Sequence, residues 1–396
     1  MSRQLAEIDR WLRAHERRLV EVRREIHAHP ELGADVPLTT ALLEQQLRSA
    51  GLVPRRFRGG SGLCVEIGQG DRIVGLRADI DALPLQELTS LPFASRIDGR
   101  SHACGHDVHA AFALGAALAL ANAGGLPGRV RIIFQPAEET LGGAHMAIEN
   151  GALRGLERVF ALHCEPQVEV GKAGTRLGAM TAACDLIEIR LSGPGGHTAR
   201  PHLSVDLVDA LARVVTTVPG LTSRRVDPRD GLSVVFGAIE AGSAPNAIPS
   251  DGRVRGTVRT LTRTGWTVAE DVVRSLITEV VAPTRAEVQI DYQRGVPPVD
   301  NDMASFSLLN AAMARAVGDD NVFMPGQSMG GEDFGWYADH APVAMGRIGV
   351  YPGTGPMSDL HQGTFFADER AIAIGARVLA YAAVGTLSAP RTGTHE

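Results

Sequence analysis

The chain has 396 residues, 44% of them hydrophobic and 21% charged, with 39 Lys and Arg against 45 Asp and Glu. That is the composition of a globular protein of two or three domains, with apolar material for more than one core. The net charge of −6 speaks against a nucleic-acid partner, which would favour a basic patch.

Leu5, Ile8, Leu12, Leu19, Val22 and Ile26 recur at helical spacing with charges between them. They predict an amphipathic helix ending near His29-Pro30. No apolar leader precedes it, and its Arg residues are mixed with Glu and Asp, so no targeting segment is read there. Residues 39–50 form a second helix stopped by Gly51. Then come runs of strand length. Residues 73–76 lead into Arg77-Ala78-Asp79-Ile80-Asp81, residues 130–134 into Gln135-Pro136-Ala137-Glu138-Glu139, and residues 159–162 into His163. The longest apolar stretch, 110–121, is too short and alanine-rich to span a bilayer and reads as a helix of the same layer. Strands alternating with helices predict an α/β fold with a mostly parallel sheet flanked by helices. The polar residues follow the carboxyl ends of the strands, where open α/β sheets bind ligands.

Near residue 184 the pattern changes. Residues 186–191, 232–239, 254–260 and 286–292 read as strands, with helices at 205–218 and 266–281. The order β-α-β-β-α-β is that of a ferredoxin-like module. It places an inserted domain at 184–295 within a larger domain of 1–183 and 296–396. The tail from Ser388 reads as disordered. The four cysteines, Cys64, Cys104, Cys164 and Cys184, are scattered. They suit a reducing cytoplasm better than a disulfide framework.

Residues 101–109, Ser-His-Ala-Cys-Gly-His-Asp-Val-His, hold three histidines, a cysteine and an aspartate. Cys and His supply ligands that first-row divalent metals prefer. Cys104 and His106 lie on a Gly-containing loop before a helix, Glu138-Glu139 ends one strand, and His163 ends the next. A carboxylate pair at an apolar strand end is costly to bury without a metal or a catalytic task. A metal-bound water beside a carboxylate base is a hydrolytic design. His27, His29, His102 and His109 take supporting roles, with Asp81 or Asp107 orienting ligand histidines.

In order along the chain come Arg24-Glu25-Ile26-His27-Ala28-His29-Pro30-Glu31, Arg77 to Pro84, and His102-Ala103-Cys104-Gly105-His106-Asp107. Phe134 to Glu139, His163 before Glu165-Pro166, and Gly195-Gly196-His197-Thr198-Ala199 follow. Pro245-Asn246-Ala247-Ile248-Pro249, Met329-Gly330-Gly331-Glu332-Asp333-Phe334, and His361 followed by Phe365 complete the set. Together these resemble the metallopeptidase-20 family, and within it the amidohydrolase branch of hippurate hydrolases, N-acyl-amino-acid deacylases and indole-acetyl-amino-acid hydrolases. The resemblance implies a di-metal centre held by Cys104, His106, Glu139, His163 and His361, with Glu138 as general base. It implies that His197 steadies the oxyanion, often in the partner subunit's site. Asn246 and Arg259 match positions near the substrate carboxylate, and Gly330 and Gly331 a loop lining the pocket. It further implies an N-acyl-amino-acid substrate and a homodimer formed through the inserted lid domain. The wider family has a His-x-Asp motif where this chain has Asp79-Ile80-Asp81, and Cys104 is an added ligand. The softer site favours Zn, Mn, Co or Ni over Mg.

Two other readings stand beside this one: a hydrolase with Cys104 as nucleophile and His106 as base, and a non-catalytic metal- or ligand-binding protein. The presence of Glu138 argues against the second. The acyl group and the amino acid stay open.

Overall fold

In the computed structural model, residues 2–390 are described; Met1 and most of the tail read as disordered, 391–396, lie outside them. The chain begins with α1 (Ser2–Ala28) and α2 (Pro37–Ser49), then β1 (Arg55–Arg56), β2 (Leu63–Gly68) and β3 (Ile73–Asp79). There follow α3 (His106–Ala123), β4 (Arg129–Gln135), α4 (Gly143–Glu149), β5 (Arg158–Glu169), β6 (Ala173–Gly174) and β7 (Gly178–Ala179). The middle of the chain holds β8 (Ala183–Ser192), β9 (Gly196–His197), α5 (Leu207–Leu221), β10 (Ser233–Ala241), β11 (Ala247–Ile248), β12 (Asp251–Thr260), α6 (Arg263–Val281) and β13 (Glu287–Val296). The last part holds β14 (Asp300–Asn301), α7 (Met303–Val317), β15 (Val322–Phe323), β16 (Val343–Tyr351) and α8 (Arg370–Ser388).

These elements fall into two compact units. The first takes the chain up to Met180, residues 301–326, and the chain from Trp336 on; the second takes Thr181–Asp300 and Gln327–Gly335. The first unit is built on an eight-stranded sheet ordered β1-β2-β4-β3-β5-β16-β6-β15. Its centre, β4-β3-β5-β16, is parallel throughout, and β2 adds to it antiparallel. β3 is buried at every position, as expected of a strand covered on both faces. The apolar stripe of α1 is buried as the spacing predicts and packs with α3 and α8. From His106 to Leu120 every residue of α3 is buried, so it shows no polar face.

One reading of this unit needs correcting. His163 does not end its strand: β5 runs on to Glu169, and His163 pairs with Arg347 of β16. Residues 110–121 lie within α3, where every residue from His106 to Leu120 is buried. Arg370–Ser388 is the one described helix long and apolar enough to cross a membrane. It is mostly buried against α1, α3 and α7, so here it is a core helix. Arg377 interrupts its apolar run, and that side chain donates to Asp9 Oδ1 at 2.9 Å.

The second unit is a four-stranded antiparallel sheet ordered β10-β12-β8-β13. β8 alternates buried and exposed residues, and Ile187, Ile189 and Leu191 join Leu211 and Val214 of α5 and Val273 and Leu276 of α6 in a separate core. This is the β-α-β-β-α-β order anticipated from the sequence. A ribbon of β9 and β11 adds to it.

Candidate metal centre

The site begins with what each loop does to its backbone. Gly105, at φ +85°, caps α3. A Cβ there would lie 2.8 Å from Cys164 Sγ, so the turn between Cys104 and His106 requires glycine. Among the described residues, three of the four non-glycine residues with positive φ belong to the site's loops: Ala137, Leu141 and His361. Such backbone is costly and persists where its surroundings over-determine it. Ala137 N–H donates to Gly33 O at 3.0 Å, and His361 N–H to Ala103 O at 2.8 Å. The second bond ties the His361 loop to the Cys104 loop.

Asp81 organises the remainder. Its carboxylate accepts from the Glu138 N–H at 3.0 Å and the Glu139 N–H at 3.2 Å. Its backbone carbonyl accepts from His106 Nδ1 at 2.8 Å. His163 Nδ1 likewise donates to Cys164 O at 2.8 Å. A carbonyl can only accept, so both rings carry a proton on Nδ1, which leaves Nε2 as the nitrogen that would face a cation.

Those nitrogens converge with the other candidate ligands. Cys104 Sγ lies 3.5 Å from His163 Nε2. His106 Nε2 lies 3.7 Å from Glu139 Oε1 and 4.0 Å from Glu138 Oε2. His361 Nε2 lies 3.5 Å from Glu139 Oε2. Ligand atoms of Cys104, His106 and His163 lie within 4.8 Å of one another, as do those of Cys104, Glu139 and His361, and of His106, Glu138 and Glu139. His106 Nε2 and Glu139 Oε1 are buried with no hydrogen-bond partner. Orphaned polar atoms of that kind need an explanation, and a soft-to-borderline donor set of one thiol, three imidazoles and a carboxylate fits divalent metal. Burial pushes the Cys104 thiol well up from its ordinary range, with His106 opposing. A thiol so held is protonated at neutral pH, which disfavours it as a nucleophile; a bound cation would reverse that.

Asp79, His106 and His109 also have ligand atoms within 4.8 Å, yet His109 has no lone pair to give. Its Nδ1 donates to Asp79 Oδ1 at 2.5 Å, and its Nε2 accepts from the Cys164 N–H at 2.9 Å. It holds the strand that carries His163. Burial would raise Asp79, but Arg77, His106 and His109 hold it well below the ordinary carboxylate range. Behind the loop, Arg23 Nε donates to Asp107 Oδ2 at 2.6 Å and His27 Nδ1 bonds the same oxygen at 2.8 Å. His102 is buried, and burial pushes it down to about 3, so it is neutral; it joins none of the ligand clusters. The sequence reading named Asp81 only as a carboxylate for a histidine, and did not find the network of Arg77, Gln135 and Tyr337. The signal was the Asp79-Ile80-Asp81 motif beside a buried Arg.

The other candidates lie in the second unit. His197 pairs with Ala247 across the β9–β11 ribbon, and Thr198 N–H donates to Asn246 O at 3.3 Å. His197 is exposed, with Nδ1 accepting from the Ala199 N–H. Arg259 lies on β12 opposite Cys184 of β8 and donates to Met329 O. Gly330 N–H donates to Ser328 Oγ at 3.1 Å, and Gly331 stands against Cys184 and Val296. So Arg259, Gly330 and Gly331 come together, and His197 and Asn246 come together, but the two groups do not meet. The β8–β12 register runs from Cys184–Arg259 to Ser192–Asp251, and Gly193 N–H to Ser250 O continues it toward the ribbon. Eight steps of strand make this register about 26 Å long, with Arg259 at one end and the chain toward the ribbon leaving from the other.

The sequence profile described as Peptidase family M20/M25/M40 matches residues 75–384. The chain belongs to that family. A Rhodococcus jostii protein, "Putative glutamate--cysteine ligase 2-3", is 45% identical over 366 residues, which are 92% of this chain but 46% of that protein. The chain thus spans about half the length of that relative. An N-acetyl-L-cysteine deacetylase of Bacillus subtilis is 35% identical over 360 residues, 90% of this chain and 85% of that one. A solved Bacillus subtilis structure, described as a dinuclear metal binding peptidase from the M20 family, superposes with a TM-score of 0.83 at 31% identity, covering 95% of this chain and 99% of that chain. The family and its hydrolase relatives make this chain a metal-dependent amidohydrolase.

Proposed function

We propose that the protein hydrolyses N-acyl-amino acids to a carboxylate and a free amino acid, using two divalent cations. The observation that carries this is the convergence of Cys104, His106, Glu139, His163 and His361, with Glu138 beside His106 and Glu139, and with His106 and His163 each held by Nδ1 on a backbone carbonyl. Zn, Mn, Co and Ni suit the donor set. Bound cations would polarise the amide carbonyl and acidify water. Glu138 then takes the proton of the attacking water and passes it to the leaving amine. The substrate is a small molecule, and cysteine derivatives are the first to try, given the deacetylase relative.

The second unit, read from sequence as 184–295, serves as lid and dimerisation domain. Arg259, with Gly330 and Gly331 beside it, receives the substrate carboxylate. Arg259 lies at one end of a strand pair about 26 Å long and His197 lies beyond the other end, a span longer than one amino-acid derivative. His197 and Asn246 therefore serve the partner subunit's site, where His197 donates to the oxyanion. The enzyme acts as a homodimer in the cytoplasm.

The test is a panel of N-acyl-amino acids with Mn, Zn, Co and Ni added in turn. Turnover that survives exhaustive chelation would sink the metal mechanism and favour Cys104 as nucleophile.

A further inference from the structure

A cavity of about 440 Å³ opens on the first unit, lined by Leu88, Leu91, Pro166, Tyr351, Pro356 and Phe366 among others. No charged side chain lines it. It is built onto the metal centre's own loops. Pro166 follows His163 by three residues, and the lining residues Ser358 and Thr364 lie three before and three after His361. Three residues of fully extended chain reach at most ~11 Å. The wall is fixed rather than loose. Leu88 N–H donates to Gly363 O at 2.7 Å, Phe366 N–H to Ser358 Oγ at 3.1 Å, and Tyr351 OH to Gly355 O at 2.8 Å.

We infer that this cavity receives the acyl group of the substrate and that the enzyme prefers apolar acyl chains longer than acetyl. This rests on the amide-hydrolase reading above and adds the half of the substrate that reading leaves open. The amino-acid half carries a carboxylate and wants a cation, which this cavity lacks; the acyl half carries none. The volume is that of a small-molecule site and leaves an acetyl group with most of its wall untouched. Each methylene that enters such a wall raises binding by about fourfold, so catalytic efficiency should climb with chain length from acetyl toward octanoyl.

Two exposed lining residues allow a test without disturbing the core: Leu88 and Thr354. Thr354→Trp fills the cavity and Leu88→Ala opens its wall. kcat/KM is measured for N-acetyl- and N-octanoyl- forms of one amino acid, on the metal-loaded enzyme. The octanoyl-to-acetyl ratio should fall by about tenfold or more in Thr354→Trp and less in Leu88→Ala. Separately, calorimetry compares octanoate with acetate. Both share the carboxylate, so the difference reports the tail alone; octanoate should bind tighter, with the advantage lost in Thr354→Trp. Equal affinity for the two acids, or an octanoate advantage that survives Thr354→Trp, overturns the proposal. Absence of turnover on either substrate, with the octanoate advantage present and removed by Thr354→Trp, sinks the amide-hydrolase reading and supports the cavity as an apolar ligand site.

Discussion

The two units solve different problems with their polar residues. In the first, the candidate ligands apart from His361 are largely buried, and their backbone or second ring nitrogen is held: Asp81 holds His106 and the Glu138-Glu139 turn, and Cys164 O holds His163. In the second, His197 is exposed and Asn246 lies in the turn just before the two-residue strand β11. A site that must bind cations needs its lone pairs aimed in advance. A site that must meet a substrate, or a second chain, can present its groups at the surface. Rigid scaffold on one side and accessible contacts on the other suit an enzyme whose metal stays while its substrate comes and goes.

If that division holds, the largest single effect comes from the first unit without loss of its metal. Glu138→Ala should lower kcat by about 10²–10⁴-fold while elemental analysis finds the parent's metal content. Loss of metal together with activity would make Glu138 a ligand instead of the base. The cost of disturbing the scaffold appears next, as stability. Asp107→Ala removes the nearer of the two carboxylates that pair with fully buried Arg23, leaving only Glu369 Oε1 at 3.3 Å, and should destabilise the first unit by about 3 kcal/mol in chemical denaturation. Burial would raise Asp107, but Arg23 and His27 hold it well below the ordinary range. A depressed folded pKa stabilises above the unfolded value, about 3.9, and that contribution is lost as pH falls below it. The parent should therefore lose stability steeply on acidification below about pH 4, and Asp107→Ala less so.

Much of this scaffold was legible in the sequence, because periodicity and ligand clustering are local. The α1 stripe, the parallel layer and the Cys104–His106 loop all announce themselves within a few residues. What was not legible depends on partners far away in the chain. A histidine after an apolar run looks like a strand end, yet β5 continues because β16 pairs with it beyond His163. The sequence places His109 in a supporting role, but no spacing rule shows that it fills that role by accepting from the Cys164 N–H. Residues 327–335 carry no periodicity. They join the second unit through bonds such as Gln327 Nε2 to Thr181 O and Leu261 O, which no spacing rule sees.

The second unit is where the comparison can be broken. His197→Ala should cost about 10²–10³-fold in kcat, as for loss of one oxyanion donor, with little change in stability because the side chain is exposed. Mixed with Glu138→Ala, it should recover about a quarter of parental activity if dimers exchange at random, since one site in each mixed dimer then has both groups. Verified mixed dimers without recovery would place His197 in its own chain's chemistry, or in none.

The smallest effect should come from Arg259, and it separates recognition from chemistry. Its guanidinium already donates to Met329 O, so only part of its fork remains for a substrate carboxylate. Arg259→Lys keeps the charge but loses the planar, two-point grip. KM should rise by about tenfold, corresponding to ~1.4 kcal/mol, with kcat nearly unchanged, because a carboxylate grip acts alike on ground and transition states. A fall in kcat without a change in KM would mean that Arg259 helps hold the Gly330-Gly331 loop in place for catalysis and that the carboxylate is received elsewhere.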